Sequence, residues 1–522
     1  MRSTMRAAAV VLATCLATAA CAGGGSRSSA DGSGEVDPDA VLRVATPAPF
    51  NTLDPARQTV VGDSMFTTLV YDRLVMTDAD DELQPMLATS WRFAKDGSHL
   101  DFMLRDDVTF HDGTPFDAAA VKANIERGKT LEGSTVSSYL ESIVGVDVID
   151  TTTVRLRLAK GEGAELPAIM STNVGMMVSP AALDDPAADL AGAPGAAGSG
   201  PYVVTSFTPS EELRFEAAED YWDPAAGNLA AIEVEFAPDA ATRLNGVRSG
   251  AADFAAISSA SDMLQAGDLA ERGEVGLTEI TYRSVMGLML NSAKGNMQDP
   301  VARRAVAHAI DPEVIDDLFS GTCAPHRQIY PDGDWAAIAD YAYPYEHDLE
   351  KAKALVKEAG SVSLELSFPA GTNVEQPANV LQSSLAAAGI EATLNPVPVT
   401  ESNARYQAGD FESLVTASFA PQADPAATVD LYLLGGFQLA RTEAEKDRIR
   451  ALADPGRDPR LDEAERADIY AETWATTLEE AWFVPICNIT TGIVHDESVL
   501  HTDNLPWGTQ GLQDLRYVEK TS

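Results

Sequence analysis

Cysteine and histidine are scarce in this chain, four and seven respectively among 522 residues. Cys15, Cys21, Cys323 and Cys487 form no CxxC pair and stand at no Cys/His spacing suited to a structural zinc ion. The histidines (His99, His111, His308, His326, His347, His495 and His501) are scattered singly. No HExxH, GxSxG or P-loop string occurs, so the common signatures of metallohydrolases, serine hydrolases and nucleotide hydrolases are missing. Basic residues are also few: 37 Lys and Arg against 79 Asp and Glu, a net charge of −42. With no basic stripe to release counterions, no nucleic acid is expected as a partner. The acidic surface keeps the chain soluble and would steer cationic ligands. After the first 21 residues there is no run of about eighteen apolar residues, so no membrane-spanning helix is expected.

What is present is ordinary globular composition, 45% apolar and 22% charged, in a chain long enough for several cores at roughly 100–200 residues each. Residues 1–21 read MRSTMRAAAVVLATCLATAAC. Arg2 and Arg6 precede an apolar stretch of signal-peptide length, and Ala19-Ala20 precede Cys21. This resembles a bacterial lipobox, with Thr18 where leucine is usual, and implies cleavage before Cys21 and lipidation of its thiol. Cys15 is the rival site, with too few apolar residues before it. Residues 22–37 are rich in Ser, Gly and Asp and read as a flexible tether.

The most informative stretch is 85–125, PMLATSWRFAKDGSHLDFMLRDDVTFHDGTPFDAAAVKANI. Leu100, Phe102 and Leu104 alternate with polar residues, the period of a half-buried strand. Turns at Lys95-Asp96-Gly97 and His111–Pro115 bracket it, and Asp117 stands as N-cap of a helix through Val121 and Ile125. Taken singly, Trp91, Phe110 and His111 read as core and turn residues. Residues 64–76 predict an amphipathic helix, 182–200 a surface loop, and Gly198 and Gly200 a tight backbone return before a hairpin. Asp299 and Pro300 open a helix containing His308, which reads as a core or partner-facing residue rather than a metal ligand. Residues 347–394 predict a βαβ unit, with Asp348 and Gly360 bounding its first helix.

Together, "P-LA-SW----DG----F-LR--V-FHDG-PF-A--V" within 85–121, GSGPY…EDYW (198–222), RLNGVRSGAADF (243–254) and LNSAKGNMQDPVARRAVAHAID (290–311) resemble the signatures of the family 5 solute-binding proteins, the peptide, dipeptide and nickel receptors of ABC importers. The resemblance implies an α/β fold of the type II periplasmic-binding-protein kind, two lobes with an extra subdomain inserted in the first (cluster C). The first lobe would comprise 38–63, 198–285 and 488–522, the inserted subdomain 64–197 and the second lobe 286–487. Crossovers near 283–290 and 485–490 would allow hinge closure on a ligand.

No cofactor, catalytic residue or bound metal is implied. The expected partners are an oligopeptide-like solute, the permease subunits of an ABC importer, and the outer face of the cell membrane through the lipid; the protein is expected to be a monomer. Peptide-binding relatives neutralise the ligand ammonium with an aspartate in a "W--D---P" segment, and the matching stretch here is Ser418–Pro425. Either Asp424 is displaced and still receives a cation, or the ammonium site is absent and the solute is not a free-amine peptide; the second is preferred. Asp424 also reads as a plain helix cap. Phe50, Asn51, Arg283, Ser284, Phe419 and Gln422 are cleft-lining candidates by position. Cys323 and Cys487 either pair after export or remain two buried thiols. The competing functions are a metal-chelate or other non-peptide receptor, a ligand-sensing lipoprotein, and a secreted hydrolase.

Overall fold

The computed structural model describes residues 35–522 except 59–60, 80–81, 258–259, 504 and 506–513. The leader, Cys15, Cys21 and the tether as far as residue 34 lie outside the described residues.

Two long antiparallel strands, Gly276–Leu290 and Phe483–His495, form the spine. They lie centrally in an eleven-stranded mixed sheet. On one side follow Phe254–Ile257, Val41–Thr46, Ala231–Phe236, Glu212–Ala217 and Tyr202–Thr208. On the other follow Ser413–Phe419, Ser363–Pro369 and Glu391–Val397. Gly276–Thr281 pairs with Thr490–His495, and Val285–Met289 with Phe483–Asn488. Between Thr281 and Val285 the register breaks, a bulge that turns the strand and re-aims its side chains. The segments expected as crossovers, 283–290 and 485–490, lie within these strands.

The predicted βαβ unit is present. Ser363–Pro369 pairs in parallel with Glu391–Val397, and helix Glu375–Ala387 connects them. Asp348 accepts the Lys351 amide at the start of helix Leu349–Ala359, and Gly360 ends it. Each such cap satisfies an amide that the first helical turn leaves open. A separate four-stranded antiparallel sheet contains Ala88–Phe93, His99–Leu104, Thr153–Leu158 and Ile143–Asp150. Helix Ala118–Thr130, capped by Asp117, covers it. Leu100, Phe102, Val121, Ile125, Val154 and Leu156 form part of one core there. A second core gathers residues from Val285 to Ile489, and a third joins Leu42, Phe66, Tyr202, Phe254 and Leu515.

The helix expected over 64–76 ends early. Helix Val61–Thr67 stops, and strand Val75–Thr77 follows. The intervening carbonyls are taken by tertiary partners: Leu69 by the Tyr202 amide, Val70 by Gly200, Asp72 by Met177, Arg73 by Leu87 and Leu74 by Ala88. A carbonyl so engaged is not left for the fourth residue along. The reading of 182–200 as a surface loop holds for 184–189, 193 and 195–196, which are exposed, but the same contacts bury its end. Gly198, Ser199 and Gly200 are buried, and a Cβ on Gly198 would stand 2.0 Å from the Val70 carbonyl oxygen. Close approach, not positive φ, requires glycine there.

A buried ionic cluster secures the C-terminal segment. Arg516 lies 2.9 Å from Asp72 and 3.0 Å from Asp514, and Arg73 lies 2.8 Å from Asp514, all fully buried. Asp72 also accepts hydrogen bonds from Tyr221, Trp222 and Ser199. Cys323 and Cys487 are joined as a disulfide with a Cα separation of 5.2 Å. It fastens strand Cys323–Pro325 to the second spine strand.

Candidate functional site

A cavity of about 860 Å³ opens beside the bulge in the first spine strand. Three parts of the chain line it. The small sheet and its neighbours contribute Ala79, Glu82, Leu83, Trp91, Phe93, Ala164, Pro167 and Ala168. The spine contributes Thr281 and Arg283. The third part contributes Pro331, Gly333, Asp334, Trp335, Ala423, Asp424, Pro459, Leu461, Glu463 and Arg466.

The bulge explains how a strand places Arg283 at the cavity. Residues 282–284 loop out opposite Ile489, so the Arg283 guanidinium reaches Asp334 as an ion pair. Asp334 stands in a turn where it also accepts the Ala336 amide at 2.8 Å. This turn presents Trp335. Helix Glu463–Glu479 opens with a capping box between Asp462 and Glu465, which places Glu463 and Arg466 on the cavity wall. Arg466 donates to Asp424 at 2.8 Å and to the Gly456 carbonyl at 2.7 Å. Its guanidinium lies 5.3 Å from the Trp335 ring centre. Burial works against the Arg466 charge, but Asp424 and Tyr470 together outweigh it and raise the pKa.

Asp424 is therefore doubly engaged. It caps the short helix Pro425–Thr428 by accepting the Ala426 amide at 2.9 Å, and its cation is Arg466 of the same chain. Of the residues expected at the cleft, Arg283 and Asp424 come together at this cavity. Gln422 joins Asp424 at a smaller adjoining one, and Ser284 lines another near Ile489. Phe50 instead packs against Phe66 and Phe207 in the third core. Phe419 stacks between Tyr432 and Phe483 at 3.9 and 4.3 Å. Asn51 is exposed and bonded to Ser210. In this structure Phe50 and Phe419 are packing residues and Asn51 is a surface residue; Phe419, at the end of strand Ser413–Phe419, feeds the second core.

Trp91, read as a core residue, lines the cavity, as do Phe93, Trp335, Glu82 and Arg466, which position alone did not suggest. Trp335 carried a faint signal, an aromatic in the turn-rich PDGDW with no periodic apolar partners. Among the described residues no cluster of three or more His, Cys, Asp or Glu could hold a metal ion. His308 is buried, with Nδ1 2.8 Å from the Glu346 carbonyl.

A two-sided cavity at a strand bend, with acids and aromatics but no nucleophile–base pair described in it, suits gripping a solute. Residues 82–438 match the bacterial extracellular solute-binding proteins, family 5 (middle). The chain belongs to that family. It is 27% identical over 468 residues to the probable D,D-dipeptide-binding periplasmic protein DdpA of Escherichia coli K12, covering 86% of this chain and 88% of DdpA. Among solved structures it resembles AgaA of A. tumefaciens R10 in complex with agropinic acid, with TM-score 0.75, 26% identity, and coverage of 91% and 96%. It also resembles NikA of Brucella suis in complex with Fe(III)-EDTA, with TM-score 0.80, 24% identity, and coverage of 93% and 100%. The type II periplasmic-binding-protein fold of this family 5 chain follows from these likenesses and the mixed sheet described above.

Proposed function

We propose that this chain is the substrate-binding lipoprotein of an ABC importer, which captures a peptide-like solute between two lobes and hands it unchanged to the permease. The observation that carries the reading is the cavity at the spine bend, walled from both sides by residues far apart in sequence. The lobes are 38–63 with 198–285 and 488–522, and 286–487; residues 64–197 form the inserted subdomain. Lipidation at Cys21 tethers the molecule, as a monomer, to the outer face of the membrane.

The wall chemistry narrows the solute. Arg283 and Arg466 each face a carboxylate of the protein, Asp334 and Asp424. Glu82 and Glu463 have no ion-pair partner among the described residues, so the wall carries excess negative charge beside Trp91, Phe93 and Trp335. This favours a neutral or cationic solute with an apolar body. Because Asp424 already neutralises Arg466, a free α-ammonium would have to displace that guanidinium, which disfavours a free-amine peptide.

Mass spectrometry of small molecules released by denaturing the purified protein tests the reading. The recovered solute should rebind with unchanged mass, and Trp335→Ala should weaken it at least about tenfold, the loss of roughly one aromatic contact. Chemical alteration of the solute, or identical binding by the Trp335→Ala and Arg283→Ala proteins, would overturn it.

A further inference from the structure

Among the described residues, a buried carboxyl without a hydrogen-bond partner on one oxygen lies not in the cavity wall but beside the wall residues in the chain. Glu165 lies between the wall residues Ala164 and Pro167, and its side chain is only 6% exposed. It meets the turn Asp454–Arg457 from the far side of the gap. There the Ala164 amide donates to the Arg457 carbonyl at 3.1 Å.

The Arg457 guanidinium does not satisfy Glu165. It donates to both oxygens of Asp430, at 2.5 and 3.1 Å, and has Asp454 3.5 Å away. Glu165 Oε1 stands 3.8 Å from Arg457, beyond hydrogen-bond reach, and buried Oε2 has no hydrogen-bond partner among the described residues. The other charged or titratable groups acting on it are Asp424, Arg466 and Tyr470.

We propose that Glu165 is a positioning residue that couples proton uptake to closure of the cavity: its carboxyl enters the contact with the Arg457 turn in the neutral form, so the closed state is favoured on the acid side. This rests on the reading that the two sides of the cavity part to admit solute. A carboxylate with a buried, unpartnered oxygen is disfavoured in its charged form. Burial raises the Glu165 pKa to about 7, with Arg457 pulling it down and Asp424 adding to the rise.

In the open form the carboxyl regains water and returns towards its ordinary value of 4.5. The closed form then binds the proton more tightly. Its advantage is complete below about pH 4.5 and is lost as pH rises through about 7. For full solvation on opening, the closing equilibrium should favour the closed form about tenfold more at pH 6 than at pH 8.

Hydrogen exchange of the solute-free protein tests this, because the Ala164 amide is protected by the Arg457 carbonyl only while the contact is made. After correction for intrinsic exchange, wild-type protection over residues 161–168 should be up to about tenfold greater at pH 6 than at pH 8. In Glu165→Gln that slope should vanish, with protection held near the acid level, while strand Thr153–Leu158 stays unchanged in both proteins as the folding control. A flat wild-type profile, or an unaltered slope in Glu165→Gln, would overturn the coupling. The wild-type profile decides alone where the variant does not fold. No solute enters this measurement, so its failure is distinct from failure of the transport reading, which the released-solute experiment judges.

Discussion

Removing the Asp72 carboxylate should unfold this protein far more readily than its distance from the cavity suggests. Asp72 is fully buried and accepts from Arg516, Tyr221, Trp222 and Ser199 at 2.8–3.0 Å. In the wild type two arginines, Arg73 and Arg516, face two aspartates, Asp72 and Asp514, and the charges balance. Asp72→Ala leaves two guanidinium groups sharing one carboxylate where water cannot reach. Breaking a buried pair in this way costs about 3–5 kcal/mol. Removing both members of a pair leaves no orphaned charge, so Asp72→Ala combined with Arg516→Met should cost at least about 2 kcal/mol less than the two single changes summed. Urea unfolding followed by circular dichroism and by fluorescence, to which Trp222 in the cluster contributes, measures all four proteins. A single Asp72→Ala cost below about 1 kcal/mol, or strict additivity in the double variant, would refute the claim that the cluster acts as one electrostatic unit.

The disulfide and the glycine contact yield two further expectations. Cys323 and Cys487 are 164 residues apart, and in the chain-entropy view a bridge closing so long a loop contributes up to about 5 kcal/mol, so replacing both by alanine should lower the unfolding midpoint strongly. Denatured protein should show no alkylation at Cys323 or Cys487 until reductant is added; labelling of either before reduction would contradict the bridge. Gly198→Ala would drive a Cβ into the Val70 carbonyl and should cost about 3 kcal/mol. Gly246→Ala, inside helix Ala240–Ser249 and with its nearest contact at 3.6 Å, should instead stabilise by about 0.5–1 kcal/mol in the same denaturation assay.

Much of the fold was legible where the deciding interactions are local. The alternation of Leu100, Phe102 and Leu104 yields a strand, and Asp117, Asp299 and Asp348 cap the helices that follow them. Each depends on atoms a few residues apart. The failures share the opposite cause. The apolar spacing over 64–76 favours a helix, but its carbonyls are claimed by residues more than ten positions away, which ends the helix at Thr67. The glycines in GSGPY suggested a turn, yet their role at 198 and 200 is to let two backbones touch across the third core. Arg516 and Asp72 stand 444 positions apart, so nothing near either residue announces their pairing.

The candidate site was less legible for a further reason: its chemistry depends on which charges remain after pairing. Read singly, Arg283 and Arg466 would make the cleft a receptor for carboxylates, and Asp424 would make it a receptor for ammonium groups. The fold sets Arg283 against Asp334 and Arg466 against Asp424, so neither single-residue reading describes the wall. Among the described residues, the carboxylates of the cavity wall without an ion-pair partner are Glu82 and Glu463, inconspicuous members of an acidic chain. Such pairing also explains why Glu165 escapes notice. Its nearest cation is Arg457, but Asp430 takes both of that guanidinium's hydrogen bonds to carboxylate oxygens. A net charge of −42 therefore says little about this cavity, whose local charge depends on the few carboxyls that their neighbours leave unmatched.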